Sequence, residues 1–143
     1  MKKHIGFSLL SVALVSVLGA AVLTAQQPKR STNDGVFTEE QAKRGKAIYE
    51  QRCATCHGGG LGGVEMAPPL TGPEFDGNWV KTPLSDLFER IRVTMPADDP
   101  GSLGQAKSAD VVAYILSVNK FKTGPNELPA GADLLQTITI GGQ

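Results

Sequence analysis

What this sequence has little of narrows the field before any motif is read. Only two of its 143 residues are cysteine and only two are histidine. A structural zinc site, which takes four nitrogen or sulfur ligands, is therefore one ligand short once His4 is set aside with the leading segment. Basic and acidic residues number 14 each. No clustered excess of lysine and arginine exists to hold a phosphate backbone, so nucleic acid is not an expected partner. No segment alternates apolar and polar residues in the manner of a strand, and no internal repeat is present.

One long hydrophobic run breaks this even texture. Met1-Lys2-Lys3-His4 is followed by apolar sequence from Ile5 to Leu23, with the small residues Ala20, Ala21 and Ala25 at its end. A basic start, an apolar stretch and small residues form an export signal. Cleavage after Ala21 or after Ala25 fits the pattern. The run is also long enough, against roughly 17–25 residues, to stay as a membrane-spanning anchor. Ser8, Ser11, Ser16 and Gly19 dilute it, which favours removal. Residues 1–25 are thus read as a signal peptide, with an N-terminal anchor as the alternative. An exported location, the periplasm in a cell that has one, follows.

From Gln26 onward 12 basic residues stand against 14 acidic ones, so the exported part is slightly acidic. At 41% apolar and 20% charged content the chain as a whole has the make-up of one globular domain. A domain of this size buries only about 65% of the surface its unfolded chain exposes, so an apolar cofactor would add usefully to its core.

Residues 26–37 are polar, with Pro28 and Gly35, and are read as a linker, structure beginning at Phe37. Thr38-Glu39-Glu40-Gln41 has the form of a capping box and starts a helix predicted over Glu39–Arg52. Ala42, Gly45, Ile48 and Tyr49 share one face of it. Gly45 costs a helix about 1 kcal/mol against alanine, which points to close approach by another backbone. Thr82 as N-cap and Pro83 at the first helical position predict a second helix through Leu84, Leu87, Phe88 and Ile91. Val111, Val112, Tyr114, Ile115 and Val118 predict a third over Gln105–Asn119, with Gly104 as its N-cap. Between these, Gly58–Gly63, Ala67–Gly77 and Met95–Gly101 read as loops. The expected fold class is all-α, with three main helices and long loops that enclose a planar ligand. The tail from Phe121 carries Leu134, Leu135, Ile138 and Ile140 and is too apolar to be free.

Both cysteines fall in Cys53-Ala54-Thr55-Cys56-His57, the C-x-x-C-H pattern of covalent haem attachment. Cysteines three apart at a helix end reach the two vinyl groups on one porphyrin edge, and the next residue places its imidazole beneath the iron. A Cys53–Cys56 disulfide or thioredoxin-like pair leaves His57 without a role and lacks the βαβ context such a site needs. Gly58, Gly60 and Gly63 satisfy the dinucleotide pattern G-x-G-x-x-G, but a strand before and a helix after are missing. Lys43-Arg44-Lys46 and Asp98-Asp99 read as solvated faces.

With these residues in place, the stretch 38–120 resembles a class I cytochrome c domain. The resemblance rests on the order of the N-terminal helix, C-x-x-C-H, Ala67-Pro68-Pro69-Leu70-Thr71-Gly72, Met95-Pro96 and a last helix with Ala113-Tyr114-Ile115-Leu116. It implies one covalent haem c, with His57 and Met95 as the iron ligands; Met66 is the rival sixth ligand. It also implies that the Pro68 carbonyl, or that of Pro69, orients His57, that Leu70 lines the pocket, and that Trp79 donates to a propionate. Gly45, Tyr49 and Tyr114 would form the crossing of first and last helices, and residues 121–143 would be a C-terminal extension.

With both axial positions filled, the implied function is electron carriage rather than catalysis. The run Leu84–Leu103, containing Arg92-Val93-Thr94-Met95-Pro96, is similar to cytochromes that accompany quinoprotein (PQQ-dependent) alcohol dehydrogenases. That similarity implies such a dehydrogenase as donor, and a terminal oxidase or another cytochrome as acceptor. A haem enzyme or gas sensor with a displaceable sixth ligand is the alternative.

Overall fold

A computed structural model of the chain describes residues 29–65 and 67–141. The export segment, residues 26–28 of the linker, and Met66 lie outside the described residues, as do the last two. In chain order the elements are β1 (Arg30–Ser31), a 3-10 turn (Thr32–Asp34), α1 (Glu39–Arg52), α2 (Ala54–His57), α3 (Gly72–Trp79), α4 (Leu84–Thr94), α5 (Gly104–Val118), α6 (Ala132–Leu135) and β2 (Ile138–Thr139). The architecture is the all-α one expected. Among the described residues no helix is long and apolar enough to cross a membrane.

Thr38 caps α1, its hydroxyl accepting from the Gln41 amide at 3.1 Å. The return half of the expected capping box does not form. Gln41 instead turns its side chain inward, donating to the Leu128 carbonyl at 3.0 Å and accepting from the Leu128 amide at 2.8 Å. Burial explains the choice, since a carboxamide paired both ways with a backbone is fully satisfied away from water.

The frame of the molecule is the crossing of α1 and α5. At Gly45 a Cβ would overlap the Asp110 carbonyl, so glycine is required for the two backbones to meet. One turn on, the Tyr49 and Tyr114 rings stack with centroids 5.3 Å apart and planes tilted by 57°, a favourable aromatic geometry. Arg44 joins the two helices to the tail by pairing with Asp110 and Glu127. Lys43 pairs with Glu39 and Lys46 with Glu50. The basic run is therefore a solvated, internally paired face.

The start of α4 differs by one position from expectation. Pro83 itself is the N-cap, because the Thr82 hydroxyl turns back to donate to the Trp79 carbonyl at 2.8 Å. Likewise Leu103, not Gly104, caps α5. Within the expected loop 67–77, α3 forms with Pro73 in its first turn, where no amide hydrogen is needed. Only Phe75 of α3 is buried, which leaves no apolar stripe to read.

Folded structure also begins upstream of Phe37, correcting the linker reading for the described part of it. β1 pairs in parallel with β2, Arg30 opposite Ile138 and Ser31 opposite Thr139. Thr32 and Val36 are buried. The tail packs on the body: Leu128, Leu135, Ile138 and Ile140 are buried, while Leu134 stays exposed. Gly35 and Gly124 touch so closely that a Cβ at Gly124 would overlap the Gly35 carbonyl.

Candidate haem site

The chemistry-bearing segment begins where α1 ends. Cys53 closes the helix, its amide donating to the Tyr49 carbonyl at 2.8 Å. The chain then makes one further helical turn, with the Cys56 and His57 amides both reaching the Cys53 carbonyl, at 3.1 and 2.9 Å. Both cysteines are free thiols, Cys53 half-buried and Cys56 exposed. Burial is the main reason the Cys53 thiol is pushed up to about 11, against the opposing pull of Arg52. It is held neutral at ordinary pH.

His57 has its tautomer set by its surroundings. Nδ1 lies 2.9 Å from the Pro68 carbonyl oxygen. A carbonyl only accepts, so Nδ1 carries the hydrogen, and in the neutral ring that leaves the lone pair on Nε2. The loop that brings Pro68 there is tied at several points. The Tyr49 hydroxyl donates to the Gly58 carbonyl at 2.7 Å, and the Gly63 amide donates to the His57 carbonyl at 2.9 Å. The Leu70 amide donates to the carbonyl of buried Leu61 at 2.8 Å. Asn119, at the end of α5, donates to the Leu70 carbonyl at 2.8 Å. Gly63 has φ +74°, and a Cβ there would press on the Ala67 carbonyl, Pro68 and Pro69. Of the three glycines in the apparent dinucleotide pattern, Gly58 (φ +77°) and Gly63 both hold a backbone conformation that favours glycine, Gly63 with steric overlap besides, while Gly60 faces open space.

Leu70, Trp79 and Met95 belong with Ile48, Cys53, Ala54 and Val80 to a set of half-buried apolar groups resting on the core. Trp79 ends α3, and its carbonyl accepts from the Thr82 amide at 3.1 Å as well as from the Thr82 hydroxyl. Met95 follows α4 directly, its amide donating to the Ile91 carbonyl at 3.1 Å. Beyond it the turn 96–103 is exposed at Asp98 and Asp99, with Asp99 3.7 Å from Arg52.

The donors fit haem c. Two thiols and one imidazole fall within residues 53–57, Cys53 capping α1 and Cys56 and His57 lying in α2, and half-buried apolar side chains offer surface for a large flat ligand to cover. Among the described residues no group of three or more His, Cys, Asp or Glu side chains could hold a bare metal ion. A thiol pair and an oriented histidine in such an all-α frame define a covalent haem-binding, electron-transfer domain.

The family model described as "Cytochrome C oxidase, cbb3-type, subunit III" matches residues 40–115. Cytochrome c-551 of Bacillus subtilis (strain 168) is 32% identical over 120 residues, 84% of this chain and 100% of its own length. Photosystem II extrinsic protein V of Porphyra purpurea is 34% identical over 105 residues, 70% of this chain and 61% of that protein. Among solved structures, the sulfane dehydrogenase SoxCD from Paracoccus pantotrophus shares the fold, with TM-score 0.51 and 22% identity over 81% of this chain and 60% of that one. The chain belongs to the cytochrome c family. Its cofactor is the family's covalent, iron-containing haem c, and its class is that of electron carriers.

Three supports of the site are not legible in the sequence. Tyr49 offers there only an aromatic ring for the helix crossing, and Asn119 only a helix end. Leu61, buried with φ +59°, sits in a glycine-rich stretch whose single apolar residue was its one signal.

Proposed function

We propose that this protein is an exported electron carrier holding one haem c through Cys53 and Cys56, with His57 and Met95 as iron ligands. The observation that carries the reading is the 2.9 Å contact from His57 Nδ1 to the Pro68 carbonyl. In the neutral imidazole it places the hydrogen on Nδ1 and so leaves the lone pair on Nε2, close in sequence to the two thiols. When bound, haem c supplies a one-electron iron couple, and a histidine–methionine pair raises its potential. The chain's own part is to orient His57 through Pro68, to cover the ring with Leu70, to present the Trp79 N–H to a propionate, and to deliver Met95 from the end of α4. A filled sixth position leaves no open site for oxygen or substrate.

The donor is an exported dehydrogenase, of the PQQ-dependent class on the resemblance of Leu84–Leu103, and the acceptor a terminal oxidase or another cytochrome. Exchange between them calls for a small, weak interface that releases quickly. The test is made on protein exported and matured in a host able to attach haem. One haem per chain should survive denaturation, and the reduced protein should not bind carbon monoxide. Loss of haem on denaturation would defeat covalent attachment. Ready carbon monoxide binding would replace the carrier with a haem enzyme or gas sensor.

A further inference from the structure

The tail is fastened to the part of the chain that leads to Met95. β2 lies between β1 and the segment that starts α4: the Lys81 amide donates to the Ile140 carbonyl at 2.8 Å, and the Ile140 amide donates to the Thr82 carbonyl at 2.9 Å. Thr139 bridges to Pro83. In the first turn of α4, the Ser85 hydroxyl donates to the Gln136 side chain at 2.8 Å, and α6 packs along α4 with Leu135 fully buried. Lys81 is held at φ +72°, a left-handed conformation that costs a non-glycine residue energy and persists only where its surroundings enforce it. The same turn carries Trp79.

We propose that the end of the tail, residues 132–141 with α6 and β2, is a positioning strap for the sixth-ligand side of the haem, with the Ile140 backbone clamp on Lys81–Thr82 and the packing of α6 on α4 as its working contacts. The inference rests on Met95 as ligand. Its mechanical basis is leverage: α4 is about 16 Å long, so a tilt of about 10° at its clamped start moves its far end by about 3 Å. That displacement takes a sulfur well out of bonding distance. Among the described residues, the hydrogen bonds on the His57 side tie the loop to α1, to itself and to Asn119 rather than to the tail.

The test uses the full-length holoprotein and added imidazole as a competitor for the sixth position. Ile140→Pro removes the amide that donates to Thr82, and Leu135→Ala opens the contact with α4. Gln41→Ala releases the other end of the tail, at Leu128, and serves as a matched destabilised control. Imidazole affinity should rise roughly tenfold in each of the first two variants, because the methionine-bound state that competes with it is less populated. The methionine-to-iron charge-transfer band should weaken in parallel. Gln41→Ala should lower the unfolding midpoint yet leave imidazole affinity unchanged. Equal imidazole affinity in all three variants and the unaltered protein would overturn the strap's role while leaving the ligand reading intact. A band that persists in Met95→Ala would overturn both.

Discussion

The segment 53–71 and the segment 79–103 each bring one proposed iron ligand to the site, and they are held by opposite means. Around His57 nearly every restraint is local: the helical turn 53–57, the Pro68 carbonyl eleven residues on, and the Tyr49 and Gly63 bonds that close the loop. Around Met95 the restraints come from far along the chain, through Ile140, Gln136, Leu135 and, one layer further out, β1. Local restraint makes the first side rigid by construction. The second side depends on a tail folding back, and its geometry is adjustable by changes remote from the iron.

The largest effect that sharpens this contrast is on attachment itself. Cys53→Ala or Cys56→Ala should abolish or severely reduce stable haem incorporation, seen as loss of haem stain on a denaturing gel. Substitutions on the Met95 side should leave that stain at full strength.

Next comes a break on the His57 side. Gly63→Ala combines a positive φ with overlap against Ala67, Pro68 and Pro69 and should destabilise the holoprotein by about 2–3 kcal/mol in denaturant unfolding. Gly60→Ala, with open space around it, should be close to neutral. Equal effects at the two glycines would contradict the role given to the Gly63 turn. A smaller loss, about 1–2 kcal/mol, is expected for Asn119→Leu, which removes the bond to the Leu70 carbonyl together with that to Ile115.

Smallest is the Arg44 junction between α1, α5 and the tail. The Arg44 guanidinium holds the Glu127 carboxyl below its usual value. A depressed carboxylate contributes stability that is present above the unfolded value and lost as pH falls through the folded one. Glu127→Gln should therefore change unfolding at neutral pH little, with the difference vanishing in acid. The pair is exposed and screened by salt. A large neutral-pH effect would mean that the tail hangs on this contact rather than on Gln41 and β2.

The same contrast governs how much could be read from the sequence. Features set by neighbours within a few residues were plain: the cap at Thr38, the bounds of α1, the C-x-x-C-H turn and the apolar stripe of α5. Gly45 signalled a close crossing because a glycine inside a helix needs a reason, and the aromatic partners followed from the resemblance. Which partners meet across long separations was otherwise not legible. Two-residue strands are too short to show alternation, so β1 looked like linker. Gln41 satisfies a capping pattern on paper, and nothing local shows that Leu128 will claim its side chain. For α3, Gly72 and Gly77 hide a helix that only Phe75 anchors. The partner of His57 at Pro68 was named from the resemblance, and the geometry puts the two within hydrogen-bond distance.

The most direct test of the central claim is the oxidised spectrum of the holoprotein beside that of Met95→Ala. Histidine–methionine ligation requires the methionine-to-iron charge-transfer band in the first and its loss in the second, with haem still attached, a lowered potential and carbon monoxide now bound by the reduced form. An unchanged band in Met95→Ala would contradict it and move the sixth ligand to Met66.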